Sequence, residues 1–434
     1  MRGRFPLSAF TVDAAAGLGG PQWLRARRTA AAARFASATL PSSEEEVWRY
    51  SRIADLDLEA WDLAAETTSD EVTPGRSNGS DAPGEGAGPI IELTDGRLTA
   101  IRLPQAWAEQ GVFVGTATEV DDASAARLGA VAGEGPDVFA TLNDAFAADP
   151  LVVSVPERVH LEEPLVIHHR FQCAGAAAFP RLVVHVGAGG SATVVDHATS
   201  ADAPVLVVPL TELSVGPRAR LDVAVVQELG PRSWELGSLV ADVGQEGHLR
   251  VGLVALGGDY ARLRTDCRLS GRGAHGELRA AYFGDGDQTL DFRTFQYHDA
   301  PDTSSNLLFK GAVGGRSRSV YTGLIRVDKA ARGTNAFQTN RNIKLSDDAW
   351  AESVPNLEIE TNDVHCSHAS TVGPVDAEQR FYLESRGVPP RVAERLLVSG
   401  FFDEVVSDLP GVGVADAVRA HISDKLDRVT GDLA

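Results

Sequence analysis

Three residues whose side chains bind soft and borderline metals, His365, Cys366 and His368, fall within four positions of one another. Imidazole and thiolate suit zinc, iron or an iron–sulfur centre. They cannot close a tetrahedral site alone: structural zinc takes four ligands in two spaced pairs, and no second CxxC or HxxxH pair accompanies them. A metal here must draw its remaining ligands from elsewhere in the fold or from a partner. On an extended strand Cys366 and His368, two apart, face the same side about 7 Å from each other. The plainer alternative is that Cys366 is a buried thiol and His368 a hydrogen-bonded polar residue.

Other chemical motifs dissolve on inspection. Gly271 to Gly276 (GRGAHG) fits GxGxxG, yet the following ELRAAYF alternates like a strand instead of opening a helix, so it reads as a turn. Gly311 to Ser317 (GAVGGRS) lacks the lysine of a phosphate loop, and no GxSxG is present. The chain is therefore not expected to bind or hydrolyse a nucleotide by itself. His168, His169, His185 and His197 cluster in early strands and read as hydrogen-bonded strand residues. Cys173 and Cys267 read as small core or near-core residues.

The elements that must position the cluster have clear sequence signals. Pro21 to Ser37 reads as an alanine-rich helix with Leu24, Ala31 and Phe35 on one side, and Ser43 with Glu46 as a capping box opening a short second helix. Residues 67–89 are rich in Ser, Gly, Pro and acid and read as a mobile loop, because they cannot bury enough apolar surface to offset their ordering entropy. Asp121 to Ala132 and Pro136 to Ala148 are further helical candidates, which makes residues 1–150 a largely helical region.

From Leu151 the pattern becomes short alternating strands. Leu263, Thr265, Cys267 and Leu269 point inward while Arg262, Arg264, Asp266 and Arg268 form a charged outer face. Gly216, Gly230, Gly244 and Gly258 recur every fourteen residues. Equal strand-plus-turn steps indicate a stacked coil, with a repeat near 28 residues if two strands make one turn; a sandwich of regular hairpins is the alternative. This core is placed at 151–372. The last segment, 373–434, reads as helical. Asp376 is its N-cap with Gln379 three residues on, and Gly387 its C′ residue. Pro389 and Pro390 open a helix through about Phe402 with Leu396 and Leu397 as core candidates, and Val414, Val418, Ile422 and Leu426 form a stripe on the last helix.

Composition limits the function classes. The chain has 434 residues, 43% of them hydrophobic, enough for a large core. Its formal charge of −20 disfavours nucleic-acid binding. The Arg25, Arg27 and Arg28 cluster reads as the solvated face of a helix. No run approaches the roughly 20 apolar residues of a membrane helix, and Pro6, Ser8, Thr11 and Asp13 interrupt the N-terminus too early for a good signal peptide. Three scattered cysteines fit a reducing, cytoplasmic setting.

The region around the ligand cluster resembles the SufB/SufD family of the SUF iron–sulfur assembly system. The resemblance begins at Glu45 to Tyr50 (EEVWRY), strengthens at Phe139 to Phe146 (FATLNDAF) and is strongest from His298 to Phe402, through GLIRVDKAARGTNAFQTN (Gly323 to Asn340) and CSHASTVG (Cys366 to Gly373). Within the family the chain is more similar to SufD: Ser367 and Ala369, not acidic residues, flank His368, and Asn340 stands near the position where SufB-like chains carry a cysteine. It departs from SufD-like chains at His368-Ala369-Ser370-Thr371, where HGAT is usual, at Asn362-Asp363, where an acidic pair is usual, and at His365, which replaces a lysine.

The resemblance implies a right-handed parallel β-helix flanked by helical regions. It implies a non-catalytic scaffold subunit, paired with a SufB-like paralogue through the late strands near Asn340 and His368, and binding a SufC-like ATPase through residues 373–434. It further implies that a nascent iron–sulfur cluster or iron is held transiently and shared with the partner, with His368 the principal residue, Cys366 secondary and His365 weakest. Two alternatives stand beside this: a SufB-like homodimeric scaffold, and a β-helix carbohydrate-active enzyme, since that fold hosts polysaccharide chemistry elsewhere.

Overall fold

The computed structural model describes residues 8–64, 88–120 and 125–431. The expected loop at 67–89 lies outside these apart from its last two residues, as does the start of the Asp121 to Ala132 candidate, whose residues 126–132 form turns. The helices are α1 (Val12–Gly17), α2 (Gln22–Ser37), α3 (Gln105–Glu109), α4 (Val138–Phe146), α5 (Ala377–Ser385), α6 (Pro390–Val406) and α7 (Val414–Gly431).

Between them stands a β-solenoid of about eight turns. Its strands fall into two sheets whose neighbours are mostly parallel and alternate in sequence, so each coil contributes one strand to each sheet. Register partners on adjacent coils lie 26 to 32 residues apart, from Trp234 with Tyr260 to Arg318 with Trp350, which brackets the repeat expected from the glycines. Parallel registers rule out the hairpin sandwich. Glycine is demanded where turns stack most tightly: Gly258 has φ +85°, and a Cβ on Gly271 would lie 1.9 Å from Gln245 N. The solenoid also recruits strands ahead of residue 151. Ile90–Thr94 pairs with Leu165–Phe171, and Phe113–Thr116 runs antiparallel to Leu151–Val155, which the helical reading of that region did not include.

Inside the early coils the core is largely aliphatic, with Leu221, Val223, Leu249, Val251 and Leu278 buried in one cluster beside a polar patch of His169, Asp196, Gln227 and Glu235, and Cys267 is inside as expected. Burial pushes its thiol up to about 12. Each sheet's outer face carries a helical layer. Phe35, Trp48, Phe139 and Phe146 pack on Trp234, Leu236 and Tyr260 of the first sheet. Phe402, Val405, Val418, Ile422 and Leu426 pack on Val254, Ala281 and Phe283 of the second.

These layers overturn several local expectations. Arg262 on the supposed charged outer face is 2% exposed, with its guanidinium 3.7 Å from the centre of the Trp48 ring. The Arg25, Arg27 and Arg28 cluster is not one solvated face. Arg27 pairs with Asp144 at 2.6 Å and Arg28 donates to Ala147 O, so two of the three arginines bind α2 to α4. Glu46–Trp48 is a single 3₁₀ turn without a side-chain cap; the Glu45 carboxylate instead accepts from Ser42 N. Farther on, Asp376 caps α5 through Glu378 N and Gln379 N, and the α7 stripe is buried as read. Helix α6 extends to Val406, and its core residues are Ala393, Val398, Phe402, Val405 and Val406, whereas Leu396 is exposed.

Candidate functional site

The last coil is built by Trp350–Ile359 in the first sheet and Val364–Pro374 in the second, each the terminal strand of its sheet. Val364–Pro374 pairs with Thr334–Lys344, matching Cys366 to Ala336, His368 to Gln338 and Ser370 to Asn340. In a parallel ladder register partners share a face. Ala336, Gln338, Asn340 and Asn342 are buried inside the solenoid, so Cys366, His368 and Ser370 present the same inward face one coil further out. No later coil covers them, and His368 is exposed while Cys366 is half-buried.

His365 pairs with exposed Asn335 and therefore sits on the opposite face from the other two. The three clustered ligands thus separate into Cys366 with His368, and His365 alone. Cys366 packs beside Leu357 and Val364 against a cluster containing Ile325, Val327 and Ala336. Burial raises its thiol and outweighs a hydrogen bond from the Ala336 backbone, which leaves it protonated near neutral pH and poorly nucleophilic. Among the described residues no group of three His, Cys, Asp or Glu is placed to hold a metal ion.

Behind the site the solenoid interior turns from aliphatic to polar. Asn340 donates to Tyr282 Oη at 2.8 Å, Tyr282 donates to Asn342 Oδ1 at 2.8 Å, and Asn342 donates to Asn340 Oδ1 at 2.8 Å. Asn340 is thus an interior residue held in a closed network, not a surface contact. Gln338 and Gln296 are buried with both amide atoms unpartnered. Buried amides are normally paired, so this run of polar groups is an exception that calls for a reason at this end of the fold. Alternation predicted which residues point inward; it gave no sign that the interior would change character.

A second surface lies on the C-terminal helices, the segment 373–434 that the resemblance assigned to ATPase binding without naming its exposed apolar residues. Helix α5 buries no residue. Phe381 is 72% exposed, Tyr382 and Val392 are exposed, and Leu396 is 53% exposed, so α5 and the start of α6 carry contiguous-sequence apolar groups in solvent. The available signal was Phe381-Tyr382-Leu383, three consecutive apolar residues that one helix cannot turn toward a single core. Phe337, Ile359 and Val372 add exposed apolar groups at the last coils.

Comparison with known proteins accords with this geometry. The family profile described as the SufBD core domain of SUF system FeS cluster assembly matches residues 169–401, and the SufBD protein N-terminal region matches residues 18–167. An iron-sulfur cluster assembly SufBD family protein of Mycobacterium tuberculosis is 37% identical over 288 residues, covering 64% of this chain and 71% of the relative. The iron-sulfur cluster assembly protein SufD of Escherichia coli is 28% identical over 295 residues, 67% of this chain and 70% of the relative. SufD of Bacillus subtilis is 28% identical over 283 residues, 63% of each. The core match spans the polar interior and open last coil, the N-terminal match spans the helical layer that covers the first sheet, and together they make this chain a member of the SufB/SufD family of the SUF iron–sulfur cluster assembly system.

Proposed function

We propose that this chain is a SufD-like scaffold subunit, not an enzyme in its own right, and that its last coil is half of a cluster-assembly site. The observation that carries the reading is the placement of Cys366 and His368 on the inward face of an uncovered terminal coil. Terminal strands leave backbone donors and acceptors unpaired, which a partner's equivalent coil can satisfy. A SufB-like paralogue abutting this end would bring its own ligands to His368, and the iron–sulfur cluster is cargo built there and passed on. A neutral imidazole can ligate iron, and a protonated one can donate to sulfide. Cys366 is secondary and His365, on the other face, weakest.

The exposed residues of α5 and α6 are the docking surface for a SufC-like ATPase, which supplies the ATP cycle that this chain, without a phosphate loop, does not. The same unpaired coil edges fit a second copy of the chain, so the mass of the isolated protein separates a homodimer from a monomer awaiting its paralogue. Family membership leaves the carbohydrate-enzyme alternative without support. Co-expression with SufB-like and SufC-like proteins tests the reading: a stable ternary complex that assembles clusters anaerobically is expected, and an inability of this chain to bind either partner would overturn it.

A further inference from the structure

His168 and His197, buried register partners on the outer face of the second sheet, begin a hydrogen-bonded chain that ends on α7. Their Nδ1 atoms lie 3.3 Å apart, His197 Nε2 lies 2.8 Å from Glu228 Oε2, and His421 Nδ1 of α7 meets the other Glu228 oxygen. Burial disfavours the charge on Glu228, but hydrogen bonds from His197 and His421 outweigh it and hold the carboxyl down at about 2. An ionised carboxylate only accepts, so His197 Nε2 and His421 Nδ1 both carry hydrogen. His197 Nδ1 then accepts from His168, whose imidazole is pushed down to about 4 by burial and is neutral at pH 7. Glu228 balances one positive charge. The His421 side chain is 46% exposed against 7% for His197, so that charge rests on His421, where it costs less desolvation.

Helix α7 is seated on the sheet by its apolar stripe and by three polar ties. Lys425 Nζ lies 2.8 Å from Asp285 and donates to Leu256 O and Gln288 Oε1, Arg428 lies 3.0 Å from Asp285, and His421 holds Glu228. Of these side chains, imidazole is the one whose ordinary titration falls between pH 5 and 8. The groups facing His421 are Glu228, with His197 behind it, on the solenoid, and Asp424, Lys425 and Arg428 on its own helix. The hydrogen bond with Glu228 raises the His421 imidazole above its ordinary value against burial; Asp424 adds to the rise and Arg428 opposes it. A small cavity lined by His197, Glu228, Val414 and Val418 leaves the seam loosely filled at this tie. On its other side α7 is joined to α6 by Arg419 with Asp403 at 2.7 Å and Arg395 with Asp427 at 3.1 Å.

We propose that the His421–Glu228 contact is a proton-operated latch: a charged His421 holds α7 tightly against the solenoid, and loss of its proton loosens the helix. A group whose value is raised on folding stabilises fully below its ordinary value, about 6.5 for imidazole, and that stability is lost as pH rises through the folded value. The apolar stripe stays in place, so α7 loosens without detaching. Through α6 the latch would also make ATPase docking firmer at lower pH. That consequence rests on the role proposed for α5 and α6; the latch itself does not.

The test follows amide hydrogen exchange of α7 in the full-length protein from pH 6 to 8.5, corrected for intrinsic exchange rates. Wild-type protection of α7 should fall about two- to fivefold across that range, the scale of a partly exposed ion pair. Protection should stay high throughout in His421→Lys, which keeps its charge, and be low and flat in His421→Gln. Every other titrating group is common to the three proteins, so their difference isolates the latch. NMR titration of the ¹³C-histidine-labelled wild type, with His421 assigned by the signal missing from either variant, should place its imidazole above the ordinary value. A wild-type α7 whose protection does not change with pH, wild-type pH dependence in folded His421→Gln, or a His421 titration at or below the ordinary value overturns the proposal.

Discussion

His368 is the register partner of Gln338 on the preceding coil, and the two share the inward face: His368 is exposed, Gln338 is 1% exposed with its amide unpartnered. A buried amide without partners costs the isolated subunit its desolvation free energy, about 1–3 kcal/mol, unless something pairs with it. Gln338→Leu should therefore leave the isolated subunit as stable as the wild type or up to about 2 kcal/mol more stable by denaturant unfolding. Cluster assembly by the complex should fall in the same variant. A stability loss above about 2 kcal/mol would mean the amide is satisfied in solution and structural.

The apolar groups on α5 and α6 lead to a separable pair of outcomes. Phe381→Glu and Leu396→Glu remove exposed side chains, so stability should change by no more than about 0.5 kcal/mol while ATPase binding is lost in a pull-down. Phe402→Ala, in the core between α6 and Phe283, should instead cost about 3–5 kcal/mol. Deleting everything after Asp376 is a poor test of docking, because it strips cover from Val254, Ala281 and Phe283. Full ATPase binding by both glutamate variants would remove this surface from the account.

Glu235 supplies a pH dependence. It lines an interior cavity with His169, Asp196 and Gln227. Burial is the main cause that pushes its carboxyl up to about 8, and nearby Asp196 adds to the rise, while a hydrogen bond with Gln227 opposes it. A carboxyl that ordinarily titrates near 4.5 then holds its proton in the folded chain. The folded state binds more protons than the unfolded state between those values, so stability is greatest below about pH 4.5 for this group and is lost as pH rises toward 8. Relative to Glu235→Gln, the wild type should lose about 1.4 kcal/mol per pH unit across that window. Parallel stability profiles for the two proteins between pH 5 and 8 would show that Glu235 is not protonated.

The parts of the fold that were legible in the sequence are those fixed by local steric rules. Glycines fall where coils stack too closely for a Cβ, strand alternation sorted Cys267 inward, and Asp376, Gly387 and the Val414 to Leu426 stripe marked the terminal helices. What depended on distant packing was not. Arg262 looks solvent-facing until Trp48 covers it; their contact joins segments over two hundred residues apart, as does the Arg262 donation to Val47 O. Leu396 looks like core until the rest of α6 fixes which side of the helix faces the sheet. At the candidate site, two-residue spacing correctly grouped Cys366 with His368 and separated His365. The polar interior around Asn340 and Gln338 left no local trace, because each of those residues alternates like any strand residue.

The most direct measurement is anaerobic iron–sulfur reconstitution of the co-expressed complex carrying His368→Ala in this chain, followed by Mössbauer spectroscopy and by the rate of cluster assembly. An exposed imidazole contributes about 0.5 kcal/mol or less to stability, so the variant subunit should fold and enter the complex normally. The account predicts a sharp fall in assembled cluster for His368→Ala and a smaller one for Cys366→Ser. Wild-type assembly by a correctly formed His368→Ala complex, or unfolding of the variant subunit, would contradict it.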